Sequence, residues 1–302
     1  MTTMETREIE SFDGTRIVYQ VGGHGDAWLV VANGYGGNFR AWSEIFDRLT
    51  HYRLLIWDYR GMHRSALPSD RQRMTIADNV RDLDVLRAQE GIDRLVMAGW
   101  SVGVQVALEQ FRQHPETVRG LILLNGAHER VLHHATGKKL APFYLPAAIR
   151  LLQAAGPTLG WTLLPLLRRL AQNRHSLSWL ERAGLITGEP QAIYDVMQAV
   201  LRLDYRTYAH MTLLADAHET EDFLPTIDVP TLVTAADRDI ISPPALAKHI
   251  AAQIPGSRYR EVKGGTHYAV MEFPELYANL IDTFISDLSG DDNRSREALE
   301  SL

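Results

Sequence analysis

The sequence predicts an α/β fold: a mostly parallel sheet of about eight strands, flanked by helices, with an all-helical insertion between two of the strands. Three observations carry that expectation. Short apolar runs of strand length alternate with segments whose apolar residues recur at helical spacing, a pattern that means βαβ units. The alternation stops between about residues 128 and 228, where helical patterns occur without a convincing strand. The size permits it, because 302 residues, 45% hydrophobic and 23% charged, suffice for one large core plus an inserted subdomain.

Glu8–Phe12 and Arg16–Gln20 read as short strands on either side of Asp13-Gly14, a hairpin signal. Trp28–Ala32 is a nearly continuous apolar run, as in a buried strand, and ends in Asn33-Gly34-Tyr35-Gly36-Gly37. A further strand, Leu54–Trp57, ends in Asp58-Tyr59-Arg60-Gly61. Thr75 can cap a helix, with Asp78 at capping-box spacing and Ile76, Val80, Leu83 and Leu86 on the buried face. Leu95–Ala98 is a strand, and after it Val104, Ala107, Leu108 and Phe111 mark a helix face. Leu121–Leu124 is the last strand before the insertion, within which Tyr194, Met197, Val200 and Leu201 form one of the helical patterns. The sheet resumes with Thr231–Thr234, a helix over about Ala245–Gln253 and a strand at Tyr259–Val262. In the final helix Tyr277, Leu280, Ile281, Phe284 and Leu288 share a face. The expected organisation is a core over residues 1–127, a helical lid over 128–228, the rest of the core over 229–289 and a flexible, polar tail over 290–302.

Within the insertion, Leu151–Leu167 carries no charge and is flanked by Arg150, Arg168 and Arg169. It falls short of the roughly 20 residues that span a bilayer, and Gly156, Pro157, Gly160 and Pro165 interrupt it. No stable membrane insertion is expected. An apolar pocket roof fits better, together with ordinary packing on the core. The net charge of −6 argues against a nucleic-acid partner. The absence of cysteine excludes disulfides, thiolate metal sites and a cysteine nucleophile. The polar stretch Met1–Glu10 has no apolar signal region, so a cytoplasmic location is expected.

The chemistry centres on Gly99-Trp100-Ser101-Val102-Gly103. The Gly-x-Ser-x-Gly pattern is unspecific alone, but here it joins a predicted strand to a predicted helix. A sharp turn there lifts the serine hydroxyl out of the fold, and side chains at the two glycines would collide across it. A serine hydroxyl needs a base, and the base needs a partner that fixes its tautomer. Of 12 histidines, His267 stands out, in Gly264-Gly265-Thr266-His267 after the last strand, at the sheet edge where Ser101 emerges. Surface or packing roles are expected for the others, with His128 and His210 the main exceptions because they begin or belong to the lid. The adjacent His133 and His134 have no ligand cluster around them, and no metal site is expected. Asp237-Arg238-Asp239 follows the strand Thr231–Thr234, and either aspartate could orient the histidine. Asp239 is preferred because it lies deeper in the loop, which leaves Asp237 as a turn residue bonding its own backbone. The oxyanion that forms on an attacked carbonyl needs N–H donors; those of Val102 and Tyr35 are the candidates. Asn33, Gly34, Trp100 and His128 are the candidate substrate-pocket residues.

These motifs together resemble the α/β-hydrolase family, in its lidded esterase branch, over about residues 8–288, with the lid matching only in position. The order Ser101, Asp239, His267 is the family's. Asp58-Tyr59-Arg60-Gly61-Met62-His63-Arg64-Ser65 is similar to the family's Asp-x-Arg-Gly-x-Gly-x-Ser turn, and Gly265-Thr266-His267 with Glu272 and Pro274 completes the match. Two departures stand out. Asn33-Gly34 replaces the usual His-Gly, a variant that resembles intracellular polyhydroxyalkanoate depolymerases, and Val104 replaces a second glycine after the elbow, which implies looser packing of the following helix. Ser101 in place of aspartate argues against dehalogenase and epoxide hydrolase chemistry.

The resemblance implies hydrolysis of a carboxylic ester with a hydrophobic acyl or alcohol group, a small-molecule substrate, and no metal or organic cofactor. The same residues would also serve lactone, polyester, peracid or carbon–carbon bond hydrolysis. A non-catalytic receptor that kept the fold is the alternative from another class. Oligomeric state is not legible in the sequence.

Overall fold

The computed structural model describes residues 4–134, 146–147, 149–151, 175–188 and 190–300. Eight strands form one sheet in the order β1-β2-β4-β3-β5-β6-β7-β8. The strands are β1 (Glu5–Glu10), β2 (Arg16–Gly23), β3 (Trp28–Ala32), β4 (Arg53–Trp57), β5 (Leu95–Trp100), β6 (Val118–Leu124), β7 (Thr231–Ala236) and β8 (Arg258–Val262). β1 and β2 are a hairpin, β2 joins β4 antiparallel, and every later pairing is parallel. The predicted strands are all present, several of them longer than their apolar runs. β6 begins at Val118 rather than Leu121 and takes in Gly120, which lies beneath Leu288 and Phe284; a Cβ on it would come within 2.9 Å of Leu288 Cδ1. A glycine inside a strand is read most easily as a loop residue, and here it serves close helix–sheet packing.

The core lies on both faces of the sheet, as the two-residue period of a strand requires. Val30 and Ala32 of β3 face one apolar cluster, whereas Leu29 and Val31 face the other. The first cluster takes in the helices α2 (Ile76–Glu90) and α3 (Gly103–Gln113). The second takes in α1 (Ser43–Arg48) and the long final helix, which begins at Pro274 and presents Tyr277, Ile281, Phe284 and Leu288. α2 begins as its sequence signals: the Thr75 side chain accepts from the Asp78 N–H and the Asp78 carboxylate accepts from the Thr75 N–H, a full capping box, and Gly91 closes the helix in the left-handed region. The final helix continues to Glu300, through much of the segment expected to be a flexible tail.

Between β6 and β7 the described residues form helices α4 (Val131–His134), α5 (His175–Arg182), α6 (Gln191–Val200) and α7 (Tyr205–Asp216), and no strand. Most of the uncharged Leu151–Leu167 run lies outside the described residues. Among the described residues, no helix is long and apolar enough to cross a membrane. The sheet resumes at β7 and is followed by α8 (Pro244–Gln253), then β8, the short α9 (Ala269–Glu272) and the final helix, α10 (Pro274–Glu300).

Candidate active site

Ser101 follows β5 directly and has φ +57°, a left-handed conformation that a non-glycine residue adopts only when its surroundings enforce it. Its N–H donates to Leu124 O of the neighbouring strand at 3.0 Å, and its carbonyl accepts from Val104 N at 3.1 Å. The flanking glycines are sterically required. A Cβ on Gly99 would fall 2.2 Å from Gly103 O, and one on Gly103 would fall 2.1 Å from Ala32 O. Val104, expected to loosen the helix against the sheet, is instead fully buried; the space comes from Gly126, where a Cβ would lie 2.5 Å from Val104 Cγ2. The glycine that the family pattern leads one to expect at 104 is supplied from the end of the next strand.

His267 reaches this turn from the loop after β8. Its Nε2 lies 2.9 Å from Ser101 Oγ, and its Nδ1 lies 2.9 Å from Asp239 Oδ2. A carboxylate only accepts, so Nδ1 carries the proton and the Nε2 lone pair faces the serine hydroxyl. Asp239 is buried, and its other oxygen accepts from the Ile241 N–H at 2.8 Å and the Ser242 N–H at 2.7 Å. Three hydrogen bonds therefore fix the orientation of that carboxylate. Asp237 does not bond its own turn, contrary to the sequence expectation; it accepts from Gly264 N at 2.7 Å, while Arg238 N donates to Gly265 O at 3.0 Å. The aspartate and histidine loops are thus tied to each other through backbone.

Two more ties fix the histidine loop. The Trp100 indole N–H donates to His267 O at 3.1 Å. Glu272 accepts from Thr266 N at 2.8 Å and Thr266 Oγ1 at 2.6 Å, and its Oε1 also accepts from Thr187 N of the inserted segment.

The loop after β3 forms the facing wall. Among the described residues, no acceptor takes the N–H of Tyr35 or of Val102, and both residues line the cavity onto which Ser101 opens. Asn33 does not line it. Its side-chain oxygen accepts from the Trp42 indole N–H at 3.0 Å, and its carbonyl accepts from Tyr59 Oη at 2.7 Å, so it holds the loop rather than meeting a ligand. Gly34 and Trp100 do line the cavity. His128 does not: it is buried, with Nε2 2.6 Å from Glu221 Oε2. His210 lies on α7 with Nε2 2.9 Å from Arg71 O, also away from the cavity. His63, expected from sequence to have a surface or packing role, stands where the family's turn has its second glycine. Its φ of +49° explains that glycine, and its Nε2 donates to Gly36 O and Gly37 O at 3.1 and 3.0 Å. Histidine is among the residues that tolerate this conformation best.

The cavity has a volume of about 470 Å³. It is lined by Ser101, Val102, Tyr35 and His267 and by Leu132, Ile186, Ile193, Val196, Met197 and Val200 of the β6–β7 segment. Burial pushes the Tyr208 phenol up to about 12 and raises those of Tyr35 and Tyr268, so these cavity tyrosines stay protonated near neutral pH. The arrangement can deprotonate an alcohol, hold an oxygen anion between two N–H groups, and do both beside an apolar group.

The chain is similar to several known proteins. A putative carbamate hydrolase, RutD, from Azorhizobium caulinodans is 26% identical over 279 residues, spanning 90% of this chain and 96% of the relative. A pimeloyl-[acyl-carrier protein] methyl ester esterase from Yersinia enterocolitica is 34% identical over 113 residues, 37% of this chain and 41% of the relative. Two solved structures share the fold: an enol-lactonase from Burkholderia xenovorans LB400 (TM-score 0.74, 23% identity, 93% of this chain and 100% of that one) and a thermophilic esterase from Thermogutta terrifontis (TM-score 0.75, 20% identity, 94% and 99%). The family model described as the alpha/beta hydrolase fold matches residues 27–274, from the start of the parallel sheet to beyond His267, and on that match the chain belongs to the alpha/beta hydrolase family.

Proposed function

We propose that the protein hydrolyses a carboxylic ester with a hydrophobic acyl or alcohol group, through an acyl-enzyme on Ser101. The observation that supports this most is the hydrogen-bonded series Asp239–His267–Ser101, with both links at 2.9 Å, opening on a cavity lined by aliphatic side chains. Ser101 Oγ attacks the ester carbonyl while His267 Nε2 takes its proton. Asp239 holds the tautomer and stabilises the imidazolium. The N–H groups of Tyr35 and Val102 bind the oxyanion. As the tetrahedral intermediate collapses, the proton passes from His267 to the leaving alcohol. Water, activated by the same imidazole, then releases the acid and regenerates Ser101.

The segment over residues 128–228 serves in this reading as a lid whose apolar inner face selects the substrate. Two relatives are named as a putative carbamate hydrolase and a methyl ester esterase, names that describe hydrolysis at an acyl carbon and agree with this chemistry. The test is a p-nitrophenyl ester series from acetyl to dodecanoyl. The expected result is a kcat/KM that rises with chain length until the cavity is filled; a preference for acetyl or charged acyl groups contradicts the hydrophobic-substrate reading.

A further inference from the structure

His128, Glu221 and His249 are far apart in sequence and meet at one point. His128 lies just beyond β6, Glu221 begins the 3-10 turn Glu221–Thr226 that leads back toward β7, and His249 sits on α8. Both imidazoles aim Nε2 at the same carboxylate: His128 at Oε2 over 2.6 Å and His249 at Oε1 over 2.7 Å. The ring centroids are 5.5 Å apart, and one donor atom from each of the three residues lies within 4.8 Å of the others. Ligands around one tetrahedral ion, with bonds of about 2.0–2.1 Å, are separated by roughly 3.3 Å, so small side-chain rotations suffice to bring all three onto a single ion.

The donor set is two imidazole nitrogens and one carboxylate oxygen, which suits zinc and its neighbours in the first transition row far better than magnesium or calcium. The scaffold is built to hold it. His128 is buried at the end of a central strand, and its carbonyl accepts from Thr220 Oγ1 at 2.7 Å, fixing it beside the turn that carries Glu221. Glu221 and His249 are about half exposed, which leaves an entry path and a fourth position for water.

From this we infer that His128, Glu221 and His249 form a binding site for a divalent transition-metal ion such as Zn²⁺, which clamps the two ends of the β6–β7 segment to α8. None of the three lines the cavity at Ser101, whereas Ala127, next to His128, does. The ion therefore takes no part in the acyl-transfer steps; it holds the base of the roof. The site was not legible in the sequence, because its ligands share no local spacing and only the fold brings them together.

The experiment uses the full chain, stripped with a chelator and titrated with Zn²⁺ or Co²⁺ by calorimetry and visible spectroscopy. One ion per chain is expected, with the visible bands of low-coordinate cobalt and a raised thermal midpoint. His249→Ala, at an exposed position, should fold like the parent and bind Zn²⁺ about 10–100-fold more weakly, and Glu221→Gln should behave similarly. Mg²⁺ should not compete. The inference is overturned by the absence of saturable Zn²⁺ binding, by equal affinity in His249→Ala, or by Mg²⁺ binding as tightly as Zn²⁺. These readouts are independent of ester hydrolysis, so they stand whatever the substrate proves to be.

Discussion

At the scale of single residues, the site depends on two side chains held in backbone conformations that suit glycine. Ser101 at φ +57° is one, and the crowding around Gly99 and Gly103 is what enforces it. Gly103→Ala places a Cβ 2.1 Å from a backbone oxygen and should cost more than about 3 kcal/mol, or prevent folding, in a denaturant titration. Ser101→Ala should keep the parent thermal midpoint and lose about 10³-fold or more in ester turnover. His63 is the other. Glycine there relieves the backbone but removes the donor to Gly36 O and Gly37 O. His63→Gly should therefore hold or raise the melting temperature while lowering kcat about tenfold with little change in KM, the pattern expected when a transition-state contact is loosened. A drop in stability without a drop in kcat would assign His63 a purely structural role. Motif reading found Ser101 because the glycine spacing announces it. It passed over His63 because the signal is a missing glycine, and the brace it forms spans from residue 63 to residues 36 and 37.

At the scale of elements, loops rather than strands decide whether the chemistry is possible. The loop after β3 is held from two sides, by Trp42 on the Asn33 side chain and by Tyr59 on the Asn33 carbonyl. Asn33→Ala leaves the buried Trp42 N–H without its acceptor, and should cost about 1–3 kcal/mol and reduce kcat; thermal melts and steady-state kinetics report the two effects. Asn33 was expected in the pocket because it follows a strand at the functional edge, and His128 because it begins the segment expected to be the lid. That edge, however, contains both residues that face the ligand and residues that hold the loops, and periodicity does not separate them. A different loop carries a pH dependence. His218, just past α7, has its pKa lowered below 6.5 by burial, which outweighs the Glu109 carboxylate 3.4 Å away; the nearby Arg112 acts in the same direction as burial. Folding thus favours the neutral imidazole. The stability tied to it is complete above the unfolded value of about 6.5 and is lost as the pH falls through the lower folded value. The thermal midpoint should fall as the pH drops from about 6.5 through the lower folded value and level off beyond it, and His218→Gln should make the fall shallower by a few degrees in melts across a pH series.

At the scale of the whole molecule, a parallel sheet brings three distant stretches to one rim, and this part was legible. Strand-length apolar runs gave the sheet, the strand–turn–helix at Gly99–Gly103 gave the elbow, and loops after the last strands gave candidate partners for it. Less was legible between β6 and β7. Helical periodicity there identifies faces, as at Met197 and Val200, which do line the cavity, but it does not say what each face meets. Nor could it show that Glu272, seen only as part of a motif, ties the histidine loop to Thr187 of the insertion. Such contacts cross long sequence separations and depend on where the sheet places its edges.

The most direct measurement is labelling of the intact protein with a fluorophosphonate, with the adduct located by mass spectrometry. Stoichiometric modification of Ser101 is expected, slowed by about 10³-fold or more in His267→Asn. An unreacted protein, an adduct on another residue, or equal labelling in His267→Asn would contradict an activated serine at this site.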